Sequence, residues 1–373
     1  MKIAPFGVEQ WMNAHEESAT FNVGETCVQS LTLDELLALD DDPGRALAEL
    51  RALQLTYGHI YGSPELRALI AALYARVTPE QTLVTNGAIG ANFLAQYALL
   101  EPGDRVVCVQ PTYQQLFSVP ASFGAEVVPL PLRPENGWLP DPQELRSLLR
   151  APTAMVVINN PNNPSGALMD AEALGELVAV VRESGAWLLA DEVYRGLEHD
   201  GVRVPSVVDL YERGVSTGSM SKVYSLAGLR VGWVAGPDEV IEACVEHRDY
   251  TTISVGQLDE TLATIALRAI DRLLARNLAI VRENAAIVDD WVRSEVRLSY
   301  VPPRAGTTAF VRYDYDLPSV ELCQRLFDTT GAFVVPGAAF DWEGWFRLGY
   351  AFDGERLVDG LDAISRFLRT LED

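Results

Sequence analysis

Lysine is almost missing from this chain. Of 29 basic residues only Lys2 and Lys222 are lysines; the other 27 are arginines. Codon preference accounts for the general choice of arginine. A guanidinium stays protonated and does not readily act as a nucleophile, so an internal lysine in such a chain points to amine chemistry. A lone lysine is ordinarily a solvated surface residue, so that reading of Lys222 depends on its neighbours. Histidine and cysteine are also scarce. His15, His59, His199 and His247 form no HxxxH or HxH pattern, and Cys27, Cys108, Cys244 and Cys323 form no CxxC pair. A zinc site and a Ser-His hydrolase therefore have no support, and the cysteines read as reduced, mostly buried thiols. Basic excess is absent as well. A formal net charge of −23 argues against nucleic acid as a partner, because binding a polyanion needs a basic surface. No apolar run reaches the ~18–20 residues of a membrane span. The start, Met1-Lys2-Ile3-Ala4-Pro5, lacks an export pattern, which makes the cytoplasm the expected location.

The chain has the make-up of a folded protein: 373 residues, 48% hydrophobic and 22% charged. It shows no repeats and no low-complexity linker. From about residue 64 to 236, helical and strand patterns alternate. Leu66, Leu69, Ile70 and Leu73 recur at helical spacing after Ser63-Pro64, a helix start. Short continuous apolar runs follow at Val106–Val109, Val127-Val128, Met155–Ile158, Trp187–Ala190 and Val231–Ala235. Continuous runs suit strands covered on both faces. Between them lie amphipathic stretches such as Ala171–Glu183. The fold class expected is α/β, a mostly parallel sheet wrapped by helices. Beyond Gly236-Pro237 the pattern predicts long helices over Gln257–Ala275 and Asn277–Ser294. Short strands at Thr308–Arg312, Phe333–Val335 and Trp345–Tyr350 then suggest a smaller α+β domain. The division expected is a large domain over 40–285 and a small one from 1–39 with 286–373.

Candidate chemistry gathers at the ends of these strands, where open α/β sheets place their ligands. Met155–Asn159 runs into Asn160-Pro161-Asn162-Asn163-Pro164-Ser165-Gly166, by itself an ordinary turn composition. Trp187–Ala190 ends at Asp191-Glu192-Val193-Tyr194, where an acid most often caps a helix. Further on come Ser219-Met220-Ser221-Lys222 and, at Ala227-Gly228-Leu229-Arg230-Val231-Gly232-Trp233, an arginine. Ser219, Lys222 and Arg230 thus lie within twelve residues, an anion-binding group around a reactive amine.

These three runs, in this order and spacing, resemble the NPxNPTG, DExY and SxSKxxxLxGLRxGW motifs of fold-type I, class I/II aminotransferases, with Ser165 for the usual threonine. The resemblance extends from Asn22-Val23-Gly24 to Arg347. It implies pyridoxal 5′-phosphate held as a Schiff base on Lys222, whose amine must be neutral to attack a carbonyl, below its ordinary pKa of ~10.4. It implies that Asp191 pairs with the ring nitrogen and keeps it protonated. Asn163 and Tyr194 are assigned to the ring's phenolic oxygen, and Tyr113 to the ring face. The phosphate is assigned to Gly87, Ala88 and Ile89 at a helix start, a natural anion site, completed by Ser219 and Arg230. Tyr57 resembles a tyrosine that reaches a phosphate across a dimer interface, which implies a homodimer with composite sites. Arg347 resembles the arginine that grips the substrate α-carboxylate with its planar fork, with Asn163 and Gly24 on the same side.

The activity implied is transfer of an amino group between an L-amino acid and a 2-oxo acid. Leu132–Gly137 and Arg248–Ser254 look like runs of a capreomycidine synthase-like subgroup, which offers elimination and cyclisation on arginine or hydroxyarginine as the alternative. Glu16, Glu17 and Glu25 are candidates to receive a guanidinium there, although solvation is the ordinary fate of such residues. A regulator's effector domain on the same fold is disfavoured. Such regulators carry an N-terminal DNA-binding segment for which residues 1–40 leave no room, and Lys222, Asp191 and Arg347 are all retained.

Overall fold

The computed structural model describes residues 2–371. Met1, within the expected N-terminal pattern, and Glu372 and Asp373, within the expected 286–373 segment, lie outside the described residues. The strands, in chain order, are β1 (Phe21–Asn22), β2 (Thr82–Asn86), β3 (Arg105–Gln110), β4 (Glu126–Pro131), β5 (Met155–Asn159), β6 (Trp187–Asp191), β7 (Gly214–Ser219), β8 (Val231–Ala235), β9 (Leu298–Tyr300), β10 (Thr308–Tyr313), β11 (Ala332–Phe333), β12 (Val335–Pro336) and β13 (Trp345–Gly349).

A seven-stranded sheet in the order β2-β8-β7-β6-β5-β3-β4 forms the centre. All its strands run parallel except β8, which is antiparallel to both neighbours. Successive residues of a strand point to opposite faces, and the apolar runs use both. Val107, Val156, Ile158, Leu188 and Ala190 pack with Leu174, Leu177, Val178 and Val181 of the helix Ala171–Ser184. Val106, Cys108, Val157, Leu189 and Val215 pack on the other side with Ala91, Leu94 and Ala95 of the helix Gly87–Leu99. This two-sided burial is why the runs are continuous rather than alternating. The helices begin where the local chemistry allows. Ser63 accepts from the amide of Leu66 at 3.3 Å with proline at the first turn, and Asp170 caps the helix Ala171–Ser184, which stops at Gly185.

A second sheet, β12-β13-β10-β9, is antiparallel, and β1 pairs in parallel with β11. The N-terminal stretch is fastened to this part. Trp11 Nε1 donates to the Val334 carbonyl at 2.8 Å, and the Gly349 amide donates to the Val23 carbonyl at 2.8 Å. Gly349 has to be glycine, since a Cβ there would lie 1.6 Å from the Glu25 carbonyl oxygen. The chain from Val23 to Cys27 is thereby pressed onto the strand that carries Arg347.

Three expectations need correction. The long helical region breaks at Ala269, giving Gln257–Arg268 and Ile270–Ser294, not near Arg276. Asn277 looks like a break but is buried inside the helix, where it donates to the Val223 carbonyl at 2.7 Å. Phe333–Val335 is not one strand. Phe333 serves the pair with β1, and Val335 serves β12 against β13, so the chain changes sheets at Val334. Conversely, Gly214–Ser219 is a fully buried strand that the polar Ser216-Thr217-Gly218-Ser219 run concealed. Its hydroxyls are satisfied internally, by Glu192 Oε2 for Ser216 (2.8 Å) and Asn92 Oδ1 for Thr217 (2.6 Å). Among the described residues no helix is long and apolar enough to cross a membrane.

Candidate active site

The C-terminal ends of β5, β6 and β7 and the loops that leave them meet around one cavity of about 420 Å³, a size suited to small molecules. They bring in Asn159 and Asn163, Asp191 and Tyr194, and Ser219, Ser221 and Lys222. The start of the helix Gly87–Leu99 adds Ala88 and Ile89, and Tyr113, Arg230 and Arg347 complete the set. Gly87 does not line the cavity itself. It has φ +68°, and a Cβ there would lie 3.0 Å from a guanidinium nitrogen of Arg230, so glycine lets the arginine close over the helix start. Arg230 is held in turn by a bond to the Ala227 carbonyl at 2.9 Å.

Asp191 is 4% exposed. Its Oδ2 accepts from Asn92 Nδ2 at 2.8 Å and its Oδ1 from the Val193 amide at 3.2 Å. Burial nevertheless pushes its carboxyl up to about 6, against these bonds. Nearby positive charge would restore the ionised form, which suits a carboxylate meant for a protonated ring nitrogen. Asn92 is one functional residue the sequence reading missed. Its signal was a polar residue one turn after Gly87 on the side of the helix where Ala91 and Leu94 are buried.

Lys222 Nζ donates to Thr26 Oγ1 at 2.6 Å and to Cys27 Sγ at 3.4 Å. Burial opposes its charge, but Cys27, Tyr194 and Glu25 favour it, and the net direction is upward. The sequence reading expected a depressed amine. The difference arises from the groups packed around the amine: Cys27 and Glu25 from the N-terminal chain and Tyr194 from the Asp191–Tyr194 run. Glu25 responds in kind: burial raises its carboxyl, while Lys222 and the amides of Cys27 and Thr26 outweigh that and hold it low. The Cys27 thiol is pushed up to about 11, chiefly by burial.

Arg347 is 2% exposed, and among the described residues no carboxylate forms an ion pair with it. It donates to Asn163 Oδ1 at 3.2 Å and to the Gly24 carbonyl at 3.0 Å, while its Nε has no partner. A buried cation with an unused donor calls for an anion from outside, and a planar carboxylate fits the fork. Gly24 thus acts by steering Arg347. Tyr113 lies in the cavity wall with its hydroxyl on Glu9 Oε1 at 2.8 Å. Tyr57 is the exception. It is 78% exposed, bridges to Gly256, and does not reach the cavity of its own chain.

The donor set matches one cofactor well. An amine, a buried carboxylate, an aromatic side chain and a helix start beside Ser219 and Arg230 line one cavity, a donor set whose chemistry fits pyridoxal 5′-phosphate. A sequence model of the family "Aminotransferase class I and II" matches residues 31–364. The chain belongs to that family. It is 36% identical over 365 residues to a capreomycidine synthase of Streptomyces vinaceus, covering 97% of this chain and 93% of that one. Among solved structures, a PLP-dependent aminotransferase from Streptococcus suis superposes with a TM-score of 0.96 at 44% identity, covering 100% of both chains. A PLP-dependent cyclase superposes with a TM-score of 0.92 at 29% identity, covering 99% of this chain and 98% of that one. The protein is a fold-type I, pyridoxal phosphate-dependent aminotransferase.

Proposed function

We propose that this aminotransferase moves the amino group of an L-amino acid to a 2-oxo acid with Lys222, Asp191 and Tyr194 as its catalytic residues. The observation that carries the reading is the convergence of Lys222, Asp191 and the unpaired Arg347 on one cavity. Bound pyridoxal phosphate supplies an aldehyde that condenses with amines and a ring that accepts electrons from the substrate α-carbon. Arg347 orients the substrate through its carboxylate, with Asn163 and Gly24 fixing the guanidinium. Lys222 Nζ would hold the cofactor's aldehyde carbon and, as a free amine, would move the substrate α-proton. Asp191, oriented by Asn92, would face the ring nitrogen. Tyr194 and Asn163 would serve the phenolic oxygen, and Tyr113 the ring face. Ala88 and Ile89 with Ser219 and Arg230 would take the phosphate, with Gly87 giving Arg230 its room.

The same reading includes a cytoplasmic homodimer, and a large unit over 40–285 beside a small one from 1–39 with 286–373. Two observations support the dimer. Tyr57 and Tyr250 are exposed at 78% and 93%. A mostly apolar hollow bordered by Phe6, Ile89, Phe93 and Val119 adjoins the active site, with Ile89 common to both. Tyr57 then serves the phosphate of the partner subunit.

Amino transfer is tested by incubating the enzyme with α-15N-labelled amino acids and pyruvate or 2-oxoglutarate. Label should appear in alanine or glutamate. A second reading, elimination and cyclisation of arginine or hydroxyarginine, is favoured by the likeness to capreomycidine synthase and to the cyclase. No label transfer from any amino acid, together with a cyclic product that keeps every nitrogen of hydroxyarginine, would replace the first reading by the second.

A further inference from the structure

One short stretch of the N-terminal chain touches both ends of the chemistry. The Gly24 carbonyl accepts from Arg347 at 3.0 Å, and just beyond it Thr26 Oγ1 and Cys27 Sγ accept from Lys222 Nζ at 2.6 and 3.4 Å. The proposed reaction gives neither Thr26 nor Cys27 a task. Both are nonetheless firmly placed. The Glu25 carboxylate closes their turn by accepting the amides of Thr26 and Cys27 at 2.6 and 2.7 Å, and Thr307 Oγ1 donates to the Thr26 carbonyl at 2.6 Å. On either side the chain is tied to β13 and the residues after it, Val23 to Gly349 and Gln29 to Ala351.

The number of N–H groups on the nitrogen decides which form of the amine these acceptors serve. A nitrogen joined to carbon by a double bond keeps at most one N–H, too few for both acceptors. A free amine has enough, and an ammonium has a donor to spare. A hydroxyl and a thiol, with a carboxylate holding their turn, therefore suit Lys222 while it is not bonded to the cofactor, and its protonated form above all. The charges agree. Burial opposes charge on Lys222, yet Cys27, Tyr194 and Glu25 hold it; burial opposes charge on Glu25, yet Lys222 and the two amides hold that. An amine that takes a proton from carbon gains driving force from whatever stabilises it once protonated.

We propose that Thr26 and Cys27 are the dock of the Lys222 amine in its free state, and that Glu25, which holds their turn, is its counter-ion. All three are positioning residues, acting through Lys222. The stretch from Gly24 to Cys27 then keeps the amine and the Arg347 guanidinium in one frame, which fixes the proton-moving group relative to the carboxylate beside its target. The assignment rests on the proposed role of Lys222 in moving the α-proton.

The charge state of the amine tests it, and the scarcity of lysine makes it readable. Enzyme labelled with ε-13C-lysine has two such residues, Lys222 and the exposed Lys2, and so should give two signals in a carbon–proton NMR spectrum. The cofactor is exchanged for 4′-deoxypyridoxine 5′-phosphate, which carries a methyl in place of the aldehyde and leaves Lys222 free. Facing the amine are Glu25 and Cys27 of this stretch, with Glu16 beside Glu25, Asp191 and Tyr194 at and beyond the end of β6, and Tyr113 after β3; the cations Arg230 and Arg347 line the same cavity. On titration Lys222 should stay charged past the ordinary lysine midpoint of ~10.4, whereas burial alone would bring it lower. Its midpoint should fall by about one pH unit or more, a tenfold change, in Glu25→Gln, which keeps an oxygen for the two amides, and in the Thr26→Val, Cys27→Ala double variant. The Lys2 signal should not move, and a Thr26→Ser, Cys27→Ser enzyme should keep the original midpoint. A Lys222 midpoint below ~10.4 in the unaltered enzyme overturns the proposal without any variant, and so does one that ignores the substitutions. The titration uses no amino acid and no turnover, so it is separate from label transfer. A high midpoint that falls in the variants, with no transfer, removes the proposed reaction and leaves the dock standing; transfer without that response does the reverse.

Discussion

The two walls of the cavity are built by opposite strategies. The wall assigned to the cofactor rises from the ends of adjacent parallel strands, and its polar residues are tied into the central sheet. Asp191 is bonded to Asn92, Asn92 to Thr217, and the adjoining Glu192 is locked by Arg195, Ser206 and Ser216. The facing wall is a helix and a stretch of chain laid over the site from outside the central sheet, fastened instead to its surroundings by bonds such as Trp11 to Val334, Gly7 to Gln114, Val23 to Phe333 and Thr307 to the Thr26 carbonyl. A rigid wall suits chemistry common to many substrates. A laid-on wall can change its charge without disturbing the sheet.

That contrast can be broken in graded steps. The largest effect is expected at Asp191→Asn, which keeps the shape but removes the negative charge. Exchange of the substrate α-hydrogen with deuterated water, followed by NMR, should slow by about 10²–10⁴. Unchanged exchange would take Asp191 out of the mechanism.

Next comes Glu192→Ala. It strands Arg195, whose Nε lies 2.9 Å from Glu192 and whose side chain is 6% exposed. Leaving a buried charge unpaired costs about 3–5 kcal/mol. A thermal melt should fall by many degrees, whereas Glu16→Gln should hardly move it. Equal shifts would erase the distinction between the walls.

The third step concerns the partner. Mixing inactive Lys222→Ala with Tyr57→Phe subunits should restore label transfer, since half of each hybrid's sites carry neither change. A monomer in sedimentation that keeps full activity contradicts the composite site.

The cofactor wall was largely legible because its residues are consecutive in sequence with the strands that aim them. Asp191 ends a strand read from its apolar run and Asn163 follows another by four residues, so position along the chain predicts position in space, whereas Ser219 and Lys222 were placed by their motif. Arg347 was legible only through resemblance, since an isolated strand arginine is ordinarily a surface residue. Asn92, Thr26, Cys27 and Glu9 were not. Their partners lie 99, 196, 195 and 104 residues away, and no local pattern encodes such meetings. The strand Gly214–Ser219 was missed for a related reason. Its hydroxyls read as a polar loop until their buried partners, Glu192 and Asn92, are known.

The central claim is that one internal amine anchors the cofactor and works the α-proton. The chain has only two lysines, Lys2 and Lys222, so the test is unusually clean. Borohydride treatment of the purified yellow enzyme, followed by peptide mass spectrometry, should place one reduced pyridoxyl group per chain on Lys222. A label on Lys2, or no covalent label on enzyme that holds its cofactor, would contradict the account.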